Sequence, residues 1–421
     1  MDEGTNYIVK DIKLAAQGRL NIEYAETQME ALMKIRQRFS NEKPFKNIKI
    51  GIALHPSKET AVLVETLVAG GADVSLCACN PLSTQDDVAA ALAVKGIKVY
   101  AYKGETKEDY YKFLKKVVDF EPEITIDDGC DLVTEIHKNK KELIPKLLGG
   151  CEETTTGVIR LKAMERDGAL KYPVIAVNDN KTKHLFDNFY GTGQSTIDGI
   201  LRATNVLFSG KTVVVCGYGS CGKGVALRAS GLGASVIVTE IDPFRALQAK
   251  YDGYRVMTMS QATKEGEIYV TVTGNKNVIR TEHMKNMKEG AMLFNSGHFD
   301  AEIDLNGLSQ ISSSKRKIRP FLDEYTLTSG KHLYVGGEGR LINLVAAEGH
   351  PSTVMSTSFC GQALAAEYLV KHKGKLGHKV IFLPEEIDNT ISKLQLEALG
   401  ISIDELTAEQ KAYLSSWEEG T

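Results

Sequence analysis

The chain has 421 residues, a length that suits about two or three domains and a sizeable core. Its 51 basic and 54 acidic residues are well mixed and give a net charge of −3, which favours neither nucleic acid nor an acidic membrane surface as a partner. The seven cysteines include no C-x-x-C pair, no apolar run reaches membrane-spanning length, and the first residues do not resemble a signal peptide. These features predict a reduced, cytoplasmic protein without a structural zinc site.

The first 46 residues are predicted to be helical, because apolar residues recur there at helical spacing. From residue 47 onward, apolar strands and helices alternate, which is typical of a parallel sheet covered on both faces. The predicted strands are 48–54, 73–78, 98–102 and 124–126, and the predicted helices are 58–69, 85–93 and 107–118. His55 and Asp128 come just after two of these strands, at the edge where open α/β sheets bind ligands.

Several polar clusters in this first part allow an ordinary structural explanation. Ser57 has the position of a helix cap, and Glu59 has that of a favourable acid in the first helical turn. The segments 127–129 and 152–156 suit turns and helix starts, and the segment 178–183 suits a solvated loop. Taken one by one, these clusters leave both structural and catalytic roles open, and the local sequence around Ser57 and Glu59 favours the structural role.

A dinucleotide-binding motif begins near the middle of the chain. Residues 212–216 form a β-branched apolar run typical of a buried strand, and the pattern G-x-G-x-x-G follows over 217–222. A helix predicted over 223–232 points its N-terminal N–H groups at a pyrophosphate, and a strand over 235–239 ends at Glu240. A carboxylate at that position binds the ribose hydroxyls of NAD and repels the 2′-phosphate of NADP. This part of the chain therefore predicts NAD as cofactor.

Further strands are predicted near 268–272, 292–295 and 332–335, and the first two end in polar turns. After His350 and a proline, a long apolar helix over 353–369 is predicted to return to the first unit. The chain then crosses between the two units twice, near residues 188 and 350, which is typical of a hinge.

The predicted fold class is α/β, with two doubly wound parallel sheets joined by two hinge crossings and a small helical tail. The predicted domains are a substrate-binding domain formed by 1–188 and 351–382, an NAD-binding Rossmann domain over 189–350, and a C-terminal tail over 383–421.

The polar clusters occur together with further motifs in one order, and in this combination the chain resembles the S-adenosyl-L-homocysteine hydrolase family over nearly its full length. The matching segments include 59–67 (ETAVLVETL), 83–86 (STQD), 103–106 (KGET), 127–129 (DDG), 152–157 (EETTTG), 186–188 (FDN), 217–219 (GYG), 239–243 (TEIDP), 297–300 (GHFD), 338–343 (EGRLIN) and 349–352 (GHPS). So many separated matches exclude a coincidence.

The resemblance implies tightly bound NAD that serves as an internal oxidant. In this family the ribose 3′-hydroxyl is oxidised to a ketone, the C4′ proton is removed, homocysteine leaves from C5′, water adds, and the ketone is reduced again. The net reaction is the reversible hydrolysis of S-adenosyl-L-homocysteine to adenosine and L-homocysteine. The substrate is thus a small nucleoside thioether, and a homotetramer is implied by the resemblance alone.

The resemblance also implies roles for individual residues. Lys183, with a lowered pKa, is expected to take the 3′-hydroxyl proton beside the ribose-binding carboxylates of Asp187 and Glu153. Asp128 is the expected base for the C4′ proton, two histidines act near C5′, and Glu59 accepts the exocyclic amine of adenine. The predicted catalytic residues are His55, Asp128, Glu153, Lys183, Asp187 and His298, and substrate binding adds Ser57, Glu59 and His350.

A larger set is predicted to contact the cofactor. These residues are Thr154, Thr155, Thr156, Asn188, Gly217, Gly219, Ser220, Cys221, Gly222, Glu240, Arg245, Thr273, Asn275, Ser296, Gly297, His298, Asn343 and His350. No metal ligand is predicted, because no histidines or cysteines have the spacing of a local metal motif.

The chain departs from the family pattern in four places. Thr192 stands where many members have a cysteine beside the ribose, and Arg245 replaces a common asparagine that bonds the NAD ribose. Arg245 therefore leaves some room for NADP. Glu348 stands where many members have a methionine beside the adenine. The chain also lacks the longer C-terminal tail that reaches a neighbouring subunit's NAD, as in archaeal and thermophilic members, which predicts a less buried cofactor.

Three alternatives remain open at this stage. Glu348 leaves room for S-inosyl-L-homocysteine as the substrate, whereas Glu59 favours the amine of adenine. A dehydrogenase with net output of reduced cofactor and a non-catalytic NAD-binding regulator are the other two.

Overall fold

The computed structural model describes residues 6–418, and within that range the strands form two eight-stranded sheets. The first sheet contains β1 (Tyr7–Ile8), β2 (Lys49–Leu54), β3 (Asp73–Ala78), β4 (Lys98–Tyr100), β5 (Ile124–Asp127), β6 (Gly149–Glu152), β7 (Val174–Ala176) and β16 (Val380–Ile381). The second contains β8 (Thr212–Cys216), β9 (Ser235–Thr239), β10 (Arg255–Val256), β11 (Ile268–Thr271), β12 (Ala291–Asn295), β13 (Ser312–Arg319), β14 (Leu322–Leu327) and β15 (His332–Gly336).

The helices fill the connections between these strands. They are α1 (Ala15–Glu26), α2 (Glu30–Glu42), α3 (Lys58–Ala69), α4 (Asp86–Val94), α5 (Lys107–Asp119), α6 (Asp131–Asn139), α7 (Thr155–Arg166), α8 (Lys181–His184), α9 (Thr192–Thr204), α10 (Ser220–Gly231), α11 (Pro243–Tyr251), α12 (Met259–Ala262), α13 (Thr281–Asn286), α14 (Leu305–Ile311), α15 (Ile342–Val345), α16 (Ser352–Lys371), α17 (Glu385–Ala398) and α18 (Ala408–Ser415). None of the helices in residues 6–418 combines the length and apolar character that crossing a bilayer requires.

The first sheet is parallel throughout, in the order β1-β4-β3-β2-β5-β6-β7-β16. The order reverses between β2 and β5, so the chain leaves these neighbouring strands toward opposite sides. A crevice therefore opens at their carboxyl ends. His55 follows β2 and Asp128 follows β5, and both residues consequently lie at this crevice.

The second sheet has the order β10-β9-β8-β11-β12-β15-β14-β13 and reverses between β8 and β11. Its strands are parallel up to β15, whereas β14 and β13 run antiparallel at the edge. The predicted fold class is confirmed in a parallel-dominated form, but the sequence analysis missed this hairpin. β13 is largely exposed and reads Ser-Ser-Ser-Lys-Arg-Lys-Ile-Arg, so it lacks the apolar alternation that signals a strand.

The alternation of side chains along each strand builds a core on both faces of the second sheet. Val213 and Val215 of β8 pack on one face with residues of α9 and α10, and Val214 packs on the other face with residues of β12 and β15. Every residue of β8 except the first is buried. Two further clusters cover the faces of the first sheet in the same way.

The long helix α16 returns to the first sheet and packs in its core against α2 and α3. This agrees with the prediction of an apolar helix over 353–369. The observed helix is three residues longer than the predicted one. Helix α17 packs on α16, α2 and α8, and Asp388 of α17 accepts the backbone N–H of Lys181 at 2.6 Å. By contrast, residues 400–418 are exposed throughout.

Helix α10 differs from its prediction, because it begins at Ser220 rather than at residue 223. A Cβ on Gly222 would lie 2.0 Å from the carbonyl oxygen of Gly217. The absence of a side chain there lets the helix start directly against the preceding strand turn. The first helical N–H groups consequently lie within the glycine loop itself.

Candidate active site

The carboxyl ends of the two central strand pairs border one cavity of about 1300 Å³, which lies between the sheets. This volume exceeds the roughly 300–1,000 Å³ of an ordinary small-molecule pocket, so it suits two ligands side by side. The residues predicted to bind substrate or cofactor all line this cavity, with one exception. The exception is Gly222, whose role is the close packing of helix and strand described above.

A buried lysine lies among amides and carboxylates on the side of the first sheet. Lys183 Nζ donates to Asn188 Oδ1 at 2.7 Å and lies 3.5 Å from Asp187 Oδ1 and 3.6 Å from Glu153 Oε1. Asn178 Oδ1 lies 3.4 Å from the same ammonium and accepts from Asn188 Nδ2 at 3.1 Å. The side chain of this lysine is therefore surrounded by four polar side chains, all from residues 153–188.

The charge state of this lysine differs from the expectation. Burial favours the neutral amine, but the carboxylates of Asp187 and Glu153 outweigh it, so the pKa of Lys183 is raised and not lowered. Burial raises the pKa of Glu153 to about 8, despite the opposing attraction of Lys183. The pKa of Asp187 is lowered, because the charges of Lys183 and His350 outweigh its burial. Near neutral pH the cluster thus holds a lysine cation, an aspartate anion and a protonated glutamic acid.

Helix α16 supplies two partners of this cluster that the sequence analysis missed. Ser358 Oγ donates to Asp187 Oδ2 at 2.6 Å, and Gln362 Nε2 donates to Glu153 Oε2. The two residues are four apart and share one face of the helix. The helix contains other buried polar residues, so the sequence carried no signal that singled out these two.

A second cluster brings two histidines and one aspartate together. His55 Nε2 lies 3.3 Å from Asp128 Oδ2, and His298 Nδ1 lies 3.5 Å from Asp128 Oδ1. Ser83 Oγ lies 2.7 Å from His55 Nδ1 and orients that ring. Burial lowers the pKa of His55 to about 4, although the charge of Asp128 opposes this effect, so the imidazole is neutral at neutral pH.

Gly129 allows His298 to approach this cluster. Its φ is +110°, and a Cβ there would lie 2.3 Å from His298 Nε2. Buried Glu152 accepts the N–H of Gly129 at 2.8 Å and so fixes the turn. The D-D-G segment is therefore more than an ordinary turn, because its glycine makes room for His298, which follows β12 of the second sheet.

The first turn of α3 contributes a buried carboxylate to the cavity, near the second hinge crossing. Glu59 Oε1 accepts from Ser352 Oγ at 2.6 Å and lies 3.3 Å from Lys58 Nζ. The same ammonium lies 2.9 Å from Glu348 Oε2, which places Glu348 at the partly exposed rim. Ser57 Oγ accepts the N–H of Thr60 at 3.3 Å, so the predicted helix cap is present alongside its position in the cavity.

His350, at the second hinge crossing, contacts the cluster around Lys183. Its Nδ1 lies 3.0 Å from Asp187 Oδ1, and its Nε2 lies 3.3 Å from Thr192 Oγ1. Cys221 Sγ donates to the same threonine oxygen at 3.5 Å. A thiol is therefore present beside Thr192 after all, but it comes from the glycine loop instead of from residue 192.

The glycine loop has the features of a pyrophosphate cradle. Gly217 has a φ of +108°, and within the described residues 6–418 the one atom that a Cβ on Gly219 would meet is Arg245 Nη1, at 3.6 Å. Space beside Gly219 is what a phosphate needs to approach the backbone, and α10 begins at the next residue. Glu240 lies at the end of β9 and accepts the N–H of Tyr218 at 2.7 Å. The guanidinium of Arg245 thus reaches the space beside Gly219 that a phosphate would occupy.

The far end of this second crevice presents polar groups for the other half of a dinucleotide. Asn343 Nδ2 donates to Ser195 Oγ at 3.2 Å, whereas its Oδ1 is buried and has no hydrogen-bond partner among residues 6–418. Glu302, which the sequence analysis missed, accepts from Thr273 Oγ1 at 2.7 Å and from the N–H of Gly274 at 2.7 Å. An amide oxygen without a partner in a polar cavity wall fits a hydrogen-bond donor such as a nicotinamide carboxamide. The residues present therefore fit NAD.

Comparison with known proteins agrees with this geometry. The family described as S-adenosyl-L-homocysteine hydrolase matches residues 6–148, and the family described as its NAD-binding domain matches residues 188–349. The latter range contains the whole second sheet, which identifies NAD as the cofactor.

Relatives match along the full chain. The chain is 59% identical to adenosylhomocysteinase of Sulfolobus acidocaldarius, over 99% of this chain and 100% of that protein. It is 57% identical to S-inosyl-L-homocysteine hydrolase of Methanocaldococcus jannaschii, again over 99% and 100%. It is 58% identical to adenosylhomocysteinase of Aquifex aeolicus, over 98% of this chain and 99% of that protein. The chain therefore belongs to the S-adenosyl-L-homocysteine hydrolase family.

Proposed function

We propose that the chain catalyses the reversible hydrolysis of S-adenosyl-L-homocysteine to adenosine and L-homocysteine. The observation that carries this proposal is the convergence of three groups on one cavity: the dinucleotide loop, the Lys183 cluster and the His55–Asp128–His298 cluster. An ordinary dehydrogenase needs the first two only. The third cluster adds a carboxylate and two imidazoles, which suit proton removal from carbon and departure of a thiolate.

Bound NAD supplies a reversible hydride acceptor for the 3′-carbon of the ribose. The chain's own residues hold the hydroxyl that is oxidised. The Lys183 ammonium donates hydrogen bonds to the 3′-oxygen as negative charge develops there, and Asp187 and Glu153 orient the diol. Because the pKa of Lys183 is raised, the lysine stays protonated and does not itself accept the hydroxyl proton. Glu153 has the lower pKa of the Lys183–Glu153 pair, so its carboxylate accepts the proton.

After oxidation, the C4′ proton is acidic because its carbanion delocalises into the adjacent carbonyl. We assign its removal to Asp128, whose two oxygens each face one imidazole. His55 and His298 then assist departure of the homocysteine thiolate from C5′ and position the water that adds there. The C5′–S bond breaks, water provides the oxygen of a new C5′–O bond and the proton for the sulfur, and Asp128 returns the proton that it took from C4′.

The rate of 3′-oxidation is expected to rise with pH, with a midpoint near 8. Below the pKa of Glu153, which is raised to about 8, the cluster has no acceptor for the hydroxyl proton. Above it, Glu153 ionises and the Lys183–Glu153 pair accepts the proton. Stopped-flow reduction of bound NAD by adenosine measures this rate. Glu153→Gln removes the ionisation and is expected to remove the midpoint. A wild-type rate that is constant across this range contradicts the assignment.

Adenosyl selectivity is expected from Glu59. Its carboxylate accepts hydrogen bonds, which suits the exocyclic amine of adenine and repels the carbonyl oxygen of hypoxanthine. The nearby Lys58 ammonium is a donor that favours the inosyl compound, but Glu59 and Glu348 already engage it. The relative from Methanocaldococcus jannaschii, named for the inosyl substrate, is as similar overall as several adenosyl enzymes, so overall identity does not separate the two.

The test of function is hydrolysis of both thioethers, followed through release of homocysteine. We expect kcat/KM to favour the adenosyl substrate by roughly 100-fold or more, without accumulation of free reduced cofactor. Glu59→Gln is expected to narrow that preference. The control is Glu397→Gln, the same change at the surface, where the carboxylate pairs with Lys34 at 3.0 Å. If kcat/KM is higher for the inosyl thioether, the chain is an S-inosyl-L-homocysteine hydrolase and the adenosyl proposal is wrong. Accumulating reduced cofactor indicates a dehydrogenase, and no thioether cleavage indicates a non-catalytic regulator.

We further propose a cytoplasmic homotetramer. The seven cysteines are all unpaired in the described part of the chain, which suits a reducing compartment. Exposed apolar side chains occur at two places that a subunit interface would cover: Ile241 and Phe244 beside the cofactor loop, and Leu414 and Trp417 near the C-terminus. Light scattering is expected to give four times the chain mass, and Trp417→Ser is expected to weaken the assembly. A monomer in solution contradicts this proposal.

The domain boundaries remain part of the same proposal. The first sheet includes β16 and the core around α16, which supports a substrate domain built from 1–188 and 351–382. The second sheet lies within 189–350 and supports the Rossmann domain. The packing of α17 on α2 and α16 supports attaching that helix to the substrate domain, with residues 400–418 as the tail.

A further inference from the structure

Helix α16 contacts both carboxyl groups of the Lys183 cluster. Gln362 Nε2 donates to Glu153 Oε2, and Ser358 Oγ donates to Asp187 Oδ2 at 2.6 Å. Both donors are buried, and their spacing of four residues places them on one face of the helix. Each donor engages one oxygen of its partner, so the two oxygens of each carboxyl group have different surroundings.

The second oxygen of each carboxyl group faces the lysine. Lys183 Nζ lies 3.6 Å from Glu153 Oε1 and 3.5 Å from Asp187 Oδ1. Glu153 Oε1 is buried and has no hydrogen-bond partner among residues 6–418. An N–H group that donates to Oε2 disfavours a proton on that same oxygen. The proton of neutral Glu153 is therefore carried on Oε1, toward the lysine.

The packing of α16 keeps these donors in place. Phe359, Cys360 and Ala363 belong to the buried core of the first sheet. Ser356 Oγ accepts the N–H of Leu32 on α2 at 3.4 Å, which opposes rotation of the helix about its axis. Side chains on a packed helix are held more precisely than side chains on a loop. The two donors thus contact their carboxyl groups from a fixed element of the first sheet's core.

We propose that Gln362 and Ser358 are positioning residues for 3′-oxidation, which select the oxygen of Glu153 and of Asp187 that meets the ribose. Neither donor is among the residues that line the cavity, so each acts through its carboxyl group. Gln362 leaves Oε1 of Glu153 as the proton acceptor, and Ser358 prevents Asp187 from turning away from the diol. This role rests on the proposed function, whereas the hydrogen bonds themselves do not.

The first test is the pH dependence of 3′-oxidation in NAD-loaded Gln362→Met, followed as reduction of bound NAD by adenosine. The charged groups that face Glu153 are Lys183, Asp187 and Asp128, and the substitution retains all three. The N–H of Gln362 stabilises the Glu153 anion, so its loss is expected to raise the midpoint by about one pH unit. An unchanged midpoint contradicts the proposal. A lower midpoint also contradicts it, because Gln362 then accepts the proton of neutral Glu153.

The second test is the affinity of the NAD-loaded enzyme for adenosine, measured by calorimetry. Ser358→Ala is expected to raise the Kd roughly 10-fold, because Asp187 loses a charge-assisted hydrogen bond that orients it. The pH midpoint of oxidation is expected to stay unchanged in this variant, since Glu153 keeps its donor. Ser356→Ala is the matched control, because Ser356 is also buried in α16 but contacts a backbone N–H. Normal affinity in Ser358→Ala, or an equal loss in Ser356→Ala, contradicts the proposal.

Gln37→Met, the same change as in the first test at an exposed position of α2, is expected to leave the midpoint unchanged. Thermal unfolding and NAD content show whether each variant folds, and Ser358→Ala decides the proposal if Gln362→Met does not fold. If the wild type neither reduces bound NAD with adenosine nor cleaves the thioether, the proposed function is wrong. If the wild type does both and the folded variants keep its midpoint and affinity, the positioning role is wrong and the hydrolase function stands.

Discussion

Replacing Lys183 by methionine is expected to slow 3′-oxidation by roughly 10²- to 10⁴-fold while NAD remains bound. The ammonium lies 3.5 Å from Asp187 Oδ1 and 3.6 Å from Glu153 Oε1, and its charge stabilises the oxygen that loses a proton. The measurement is single-turnover reduction of bound NAD after addition of adenosine, with NAD content checked on the denatured protein. A normal rate of NAD reduction in this variant means that the lysine is not required.

The same substitution is expected to lower the free energy of unfolding. Removing one partner of a buried ion pair leaves the other without compensation, at a cost of about 3–5 kcal/mol. Asp187 keeps Ser358 and His350 as partners, which limits the loss. Lys181→Met is the matched control, because Lys181 lies on the same short helix but points to solvent and pairs with Glu385 at 2.5 Å. It is expected to leave oxidation unchanged and to alter stability by less than about 1 kcal/mol.

Replacing Asp128 by asparagine is expected to separate the oxidation step from the elimination step. Asp128 lies outside the Lys183 cluster, so bound NAD should still be reduced on addition of substrate. Loss of the carboxylate removes the base for the C4′ proton and is expected to slow thioether cleavage by roughly 10²- to 10⁴-fold. The expected signature is reduced cofactor that accumulates on the enzyme without release of homocysteine.

The control for this variant is Asp119→Asn, the same change at a surface residue of the same domain, where the carboxylate pairs with Lys140 at 2.8 Å. It should leave both steps intact. If Asp128→Asn cleaves the thioether at the wild-type rate, the base lies elsewhere. If it also fails to reduce NAD, Asp128 acts in oxidation or in substrate binding, and the division of work between the two clusters is wrong.

The sequence predicted the nucleotide-binding part of the site well. Strands 212–216 and 235–239 occur at the predicted residues, and Gly217 adopts the positive φ that the motif requires. These features are local, because a strand, a glycine turn and a helix start depend on about 30 contiguous residues. The start of α10 was misplaced by three residues. Gly222 disfavours a helix by propensity, and only its contact with Gly217 shows why the helix begins before it.

The family resemblance predicted which other residues form the site, but it did not predict their pKa values correctly. The expectation of a lowered pKa for Lys183 treated burial as decisive. The structure places two carboxylates within 3.6 Å of Nζ, and their attraction is the stronger effect. Ser358 and Gln362, which complete the cluster, lie about 170 and 210 residues away along the chain from their partners. Such contacts have no signature in a local pattern.

The sequence by itself therefore determined the two α/β units, the NAD loop with Glu240, and the family to which the chain is similar. Backbone preferences and hydrophobic alternation depend on residues that are close together in the chain, so both can be recognised from the sequence alone. Only the tertiary structure decided where protons reside and which side chains share a ligand. His55, Asp128 and His298 become neighbours because two sheets face each other across one cavity. Charge interactions depend on distances through space, and those distances exist only once the sheets have packed.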